Sequence, residues 1–102
     1  MEHPDRTGLA GTPGNGPFLV LYLKIQDGGI AAAKFQTYGC GPMIACGSIL
    51  TEMILGKTRE ECLRLTPEDL IEALDDGIPF DKLHCPVLAI EALQSALKER
   101  EL

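Results

Sequence analysis

The chain has 102 residues, 45% of them hydrophobic and 24% charged, with a formal net charge of −6. That length holds one core, that composition argues against disorder, and an acidic balance without a Lys/Arg cluster gives no attraction for nucleic acid or anionic membranes. No apolar run approaches the ~20 residues that cross a bilayer, and the breaker-rich start with Glu2 and Asp5 does not read as a signal peptide.

A reducing, cytoplasmic setting is therefore expected, with the four cysteines present as thiols or ligands rather than disulfides. The whole of 1–102 reads as a single domain. Residues 1–17 carry four glycines and three prolines and are expected to form an irregular lead-in, with residues 9–12 as the only candidate for an extra strand. Phe18 to Gln26 is a strand: Leu19, Leu21, Leu23 and Ile25 share one face, while Tyr22, Lys24 and Gln26 share the other. Asp27-Gly28-Gly29 is turn chemistry, and Ile30 to Tyr38 returns as a second strand with Ala31, Ala33 and Phe35 toward the core.

From Pro42 onward the pattern is helical. Pro42 suits a first helical position, Ile44, Ile49, Leu50, Met53 and Ile54 supply the apolar stripe, and Gly56 suits the C-terminal cap. Thr58 with Glu61, then Thr66-Pro67 with Asp69, are start signals for two short helices ending near Leu65 and Leu74. After a loop containing Gly77 and Pro79, Pro86 is expected to open the last helix, with Leu88, Ala89, Ala92, Leu93, Ala96 and Leu97 at helical spacing. Strands first and helices after predict an α+β fold, a small antiparallel sheet packed by about four helices. A lone hairpin is marginal, so a third strand is expected.

Two cysteines share a local context. Cys40 lies in Tyr38-Gly39-Cys40-Gly41-Pro42 and Cys85 in Leu83-His84-Cys85-Pro86, each just ahead of a proline that marks a helix start. Unpaired N–H groups and the helix dipole favour an anion there, and the thiolate is the form that binds metal or attacks sulfur. His84 adds a nitrogen donor, so Cys40, His84 and Cys85 form a candidate set suited to zinc or iron. Water, another protein or the lead-in would complete it. Cys46 and Cys62 fall among apolar helix residues and read as core, with Cys46 in reserve as a ligand; His3 reads as solvated. A Cys–His hydrolase is disfavoured, because sequence neighbours such as His84 and Cys85 seldom present nucleophile-and-base geometry. The glycines of 11–16 lack the lysine and following helix of a phosphate loop.

These residues resemble the U-type iron–sulfur cluster scaffold family, the IscU-like proteins and the N-terminal domain of NifU. Phe35-Gln36-Thr37-Tyr38-Gly39-Cys40-Gly41 is similar to that family's second cysteine motif, and Lys82-Leu83-His84-Cys85 followed by Leu88-Ala89 to its third. The likeness runs from about Gly11 to Leu97. It implies a SufE/NifU-like fold and a scaffold rather than an enzyme. A cysteine desulfurase would deposit sulfur on it, with Cys85 the main acceptor. Cys40, His84 and Cys85 would hold iron or a [2Fe–2S] cluster, with zinc as a substitute, for delivery to recipient proteins. Three departures accompany the likeness. Asn15, Gly16 and Pro17 stand where the family has Cys-Gly-Asp. The family's N-terminal helix is missing or reduced to a stub around Met1 to Asp5. The chaperone-read Leu-Pro-Pro-Val-Lys appears as Ile78-Pro79-Phe80-Asp81-Lys82. A persulfide carrier, or a zinc-binding module that builds no cluster, is the alternative expectation.

Overall fold

The computed structural model describes residues 3–12, 14, 16–39, 41–75, 77 and 82–98. Three strands, β1 (Arg6–Gly11), β2 (Phe18–Gln26) and β3 (Gly29–Tyr38), precede four helices, α1 (Gly41–Met53), α2 (Arg59–Leu63), α3 (Pro67–Ala73) and α4 (His84–Leu97). The sheet is antiparallel throughout, in the order β1-β2-β3. The α+β architecture and its third strand are as expected. The lead-in is less irregular than its glycines and prolines suggest, because β1 occupies Arg6–Gly11 and starts before residue 9. Of the stub, residues 3–5 are not helical, and Met1 and Glu2 lie outside the described residues.

Tertiary contacts make β1 a strand. Its Gly8 lies so close to α4 that a Cβ there would run into the Ala92 carbonyl oxygen and Ala96. Ser95 Oγ accepts the Leu9 N–H at 3.3 Å, which occupies an edge group the sheet leaves open. Asp5 extends the pairing: its N–H donates to the Leu23 carbonyl and its carboxylate accepts from Ile25 N–H, both at 2.8 Å.

Leu19, Leu21 and Leu23 of β2 are fully buried, as their alternation requires. On β3 the expected core face needs one correction. Asp27 (φ 54) and Gly28 (φ 78) form the tight turn, and Ile25 pairs with Ile30, yet Lys24 pairs with Ala32. Ala31 is thus the extra residue of a β-bulge and is exposed. The bulge lets Ile30 stay in the core while Ala33 and Phe35 also pack against it.

Helix α1 needs a second correction. Its buried residues are Met43, Cys46, Gly47 and Leu50, whereas Ile44, expected in the apolar stripe, is 53% exposed. The phase is set where Gly47 meets Phe35, since a Cβ on Gly47 would stand 2.5 Å from that ring. Thr58 and Glu61 form the expected reciprocal cap: Glu61 N–H donates to Thr58 Oγ1 at 3.2 Å and Thr58 N–H to Glu61 Oε1 at 3.1 Å. The carboxylate of Asp69 accepts the Thr66 N–H at 2.8 Å at the start of α3. Both short helices end within two residues of expectation, the usual spread of helix ends. Arg59 Nε donates to the Leu97 carbonyl at 2.9 Å, placing a cation on the negative end of α4. No helix of the described residues is long and apolar enough to cross a membrane.

Candidate sulfur and metal site

The third correction concerns α4. It begins at His84, not at Pro86, so Cys85 is the second residue of the helix and Pro86 the third. A proline is tolerated anywhere in the first turn, because the N–H groups there have no intrahelical acceptor to lose. Being helical fixes the direction of Cys85. Residues 85, 89, 92, 93 and 96 recur at helical spacing and are all within 2% of complete burial, so the thiol points inward. His84, one position round the helix, is exposed. Its ring nevertheless returns to the sulfur: His84 Nε2 lies 3.6 Å from Cys85 Sγ, within hydrogen-bonding reach for sulfur. The imidazole tautomer decides which of the two donates.

A cavity of about 240 Å³ opens beside His84, lined also by Gly16, Pro17, Tyr38, Gly39, Met43 and Lys82. Three separate chain segments meet there: the approach to β2, the end of β3 with the start of α1, and the start of α4. Gly39 is needed for this approach, since a Cβ would come within 2.8 Å of Met43 Cγ. Phe18 and Tyr38 face each other across β2 and β3 and stack with ring centroids 6.2 Å apart, so Tyr38 stands as an aromatic wall at the opening.

The structure therefore brings His84 and Cys85 together. Cys40 lies outside the described residues, between cavity-lining Gly39 and the first residue of α1. Asn15 and residues 78–81 also lie outside them. Cys46 is fully buried on α1, and Cys62 is 1% exposed on α2. Burial pushes the Cys62 thiol up from its ordinary value, which keeps it protonated, as expected of a core cysteine. His3 is exposed. Among the described residues no three His, Cys, Asp or Glu side chains are grouped to hold a metal ion. A wider depression of about 500 Å³ between the end of α1 and helices α2 and α3 is lined by Lys57, Arg64, Glu61, Asp69 and Glu72 but by no cysteine or histidine.

The parts of the site that residue chemistry did not single out are the aromatic wall and Met43. The bulge conceals the wall, because counting straight back from the turn would set Phe18 opposite Thr37 instead of Tyr38. Lys82 is legible in the sequence as the last residue of the loop motif and the first of the third cysteine motif, not as part of a cavity wall.

Fold and site together define a small α+β domain that presents a cysteine–histidine pair at a helix start beside an open cavity. The profile of the NifU-like N-terminal domain matches residues 1–101, and the chain belongs to that family. It is 43% identical over 97 residues to iron-sulfur cluster assembly scaffold protein IscU 1 of Archaeoglobus fulgidus, covering 95% of this chain and 63% of that protein. The chain thus spans a little under two thirds of that relative's length. Identity to the IscU scaffold proteins of Haemophilus influenzae and Escherichia coli K12 is 39% and 37%, over 91% of this chain and 73% and 72% of theirs. The crystal structure of a SUF-system scaffold protein from Fervidobacterium islandicum shares the fold at a TM-score of 0.73 and 20% identity, covering 96% of this chain and 84% of that one. A NifU-like N-terminal domain from Brucella abortus aligns at a TM-score of 0.55 and 18% identity, over 95% and 71%.

Proposed function

We propose that this chain is an iron–sulfur cluster assembly scaffold: it accepts sulfur from a cysteine desulfurase at Cys85, holds iron or a [2Fe–2S] cluster through Cys40, His84 and Cys85, and passes it to recipient proteins. Such a chain binds and hands on its cargo without turning over a substrate, and it works in the reducing cytoplasm. The observation that carries the reading is the 3.6 Å approach of His84 Nε2 to Cys85 Sγ beside a cavity where three chain segments meet.

The chemistry follows from the placement. Cys85 sits in the first turn of a 14-residue helix, where the dipole favours its anion, and His84 is at hand to hold the proton. The thiolate attacks the outer sulfur of a desulfurase persulfide. The new S–S bond forms on Cys85 as the old one breaks, and the desulfurase sulfur leaves as its thiolate. Converting that sulfur to bridging sulfide takes two electrons from a separate reductant. Cys85 is fully buried, so attack requires the side chains over it to move, and exposed His84 is the one that borders the cavity. Thiolates and imidazole suit iron, and zinc competes for the same donors. Anaerobic reconstitution with iron and sulfide tests this: visible cluster absorption with retained iron is expected, and a colourless, iron-free chain would refute it.

One observation favours a second reading. Gly16 and Pro17, which line the cavity where the family carries Cys-Gly-Asp, bring no donor side chain. A persulfide carrier that builds no cluster needs none. After incubation with a desulfurase and cysteine it gains the mass of one sulfur atom and binds no iron; persistence of the gain in Cys85→Ser would rule it out.

A further inference from the structure

We propose that the outer face of the sheet docks one amphipathic helix of a partner protein, whose carboxylates meet Lys24 and Lys34. This face lies on the side away from the helices, so the proposal does not depend on what the cavity holds. An antiparallel strand with one wet face alternates apolar and polar residues, whereas a strand covered on both faces reads as a continuous apolar run. β2 reads the second way from Phe18 to Leu23. Its inward residues Leu19, Leu21 and Leu23 share one core cluster with buried residues of all four helices. Phe18, Val20 and Tyr22 face the other way, stand outside that cluster and are only half-buried. Among the described residues no helix supplies the second cover that this pattern implies.

The strand register gathers these side chains into one patch. Leu9 and Gln36 flank Val20, Lys34 stands beside Tyr22, and Tyr38 stands beside Phe18. The Tyr22 hydroxyl donates to Gln36 Oε1 at 2.9 Å, which ties β2 to β3 across that face. Leu9 is 45% exposed and Tyr38 68%. Scattered apolar residues need no explanation, but a gathered patch marks an interface. From Phe18 to Lys24 the face is about 20 Å long, the length of about 13 helical residues. Its outer strands stand about 10 Å apart, the width of one helix. Charge selects the occupant. The chain carries a net charge of −6, yet its three strands contain no Asp or Glu. Asp5, just ahead of β1, has its carboxylate on the Ile25 N–H. Lys24 pairs with Ala32 and Lys34 with Tyr22, so the two lysines are diagonal neighbours on one face. A second copy would set lysines against lysines, whereas carboxylates on a partner helix relieve the repulsion.

The test titrates the full chain with two synthetic amphipathic helical peptides of about 14 residues. Both carry Leu and Ala along one side, and they differ only in having Glu or Lys at one end. Fluorescence anisotropy at low salt is expected to show the Glu peptide binding roughly tenfold or more tightly than its Lys twin. Amide shifts in the labelled chain should centre on Val20, Tyr22 and Gln36. Binding of neither peptide, equal affinity for the two, or shifts centred elsewhere would each overturn the proposal. Val20→Glu, with an unchanged circular dichroism spectrum, should weaken the Glu peptide by roughly tenfold or more. The double variant Lys24→Glu, Lys34→Glu leaves the apolar patch intact and should reverse the preference between the peptides; an unreversed preference would show that charge does not select the occupant. Sedimentation of the chain alone should be unaffected by Val20→Glu. A dimer that the substitution breaks would make this face a contact between copies and overturn the proposal.

Discussion

Cys85 and Cys62 are equally hidden from solvent, at 0% and 1% exposure, and both lie in short reach of a helix start. Around Cys62 the helix start is closed. Thr58 and Glu61 satisfy each other's N–H groups, and the thiol is pushed toward its neutral form by burial. Around Cys85 the helix start has no side-chain cap, an imidazole lies against the sulfur, and a cavity opens beside that imidazole. Burial alone therefore does not distinguish the surroundings of these two cysteines. The neighbour of the sulfur and the state of the helix end do.

The largest expected effect is at the open end: Cys85→Ser should abolish the persulfide adduct and lower iron retention by at least roughly tenfold, as loss of a ligand and its charge implies. Cys62→Ala should leave both unchanged. Equal loss in the two variants, measured by mass spectrometry and iron analysis, would erase the contrast. Next comes the contact that aims α4. Gly8→Ala forces a methyl into the backbone of Ala92 and should cost about 2–4 kcal/mol in urea unfolding, with iron retention falling as α4 shifts.

At the closed end, Thr58→Ala removes one half of the reciprocal cap and should cost about 1 kcal/mol, again by urea unfolding, while leaving iron retention intact. In the folded chain Cys62 should resist a thiol-alkylating reagent at neutral pH and react only after denaturation, as peptide mapping would show. The smallest effect is a pH dependence. Hydrogen bonds from Thr58 hold the Glu61 carboxyl below its ordinary value of 4.5. A carboxyl depressed by folding stabilises above its unfolded value, and the benefit fades as acid protonates it. Thermal melts below about pH 4.5 should therefore weaken less steeply in Glu61→Gln than in the parent chain; parallel curves would show that the cap carries no charge-dependent part.

Much of this contrast is legible along the chain. The alternation of Leu19, Leu21 and Leu23 reports a strand with one buried face, and Thr58 with Glu61 reports a helix start, because each pattern encodes local geometry. The likeness of the Cys40 and His84-Cys85 segments to two cysteine motifs of one family is also visible in the chain, although Cys40 lies outside the described residues. Less legible are the features that depend on a partner far away in sequence. Ile30 and Phe35 have opposite parity, so no uninterrupted strand can bury both, and the bulge at Ala31 resolves the conflict by spending one residue. Ile44 looks like core by helical spacing until Gly47 settles on the Phe35 ring and turns it outward. Pro86 looks like a first helical residue because the chain carries no sign that the turn before it is already wound.

Local sequence thus dictates which segments become strands and helices, where most of them start, and which side chains have the chemistry for sulfur and metal. It does so because propensity, capping and periodicity are short-range. The faces that Cys46, Cys62 and Cys85 present, the strand status of Arg6–Gly11, and the meeting of three segments at one cavity are decided by packing: by Gly8 against Ala92, Gly47 against Phe35, and the phase that buries Ala89, Ala92, Leu93 and Ala96. Those contacts join residues many positions apart, so their outcome exists only once the sheet and helices share one core.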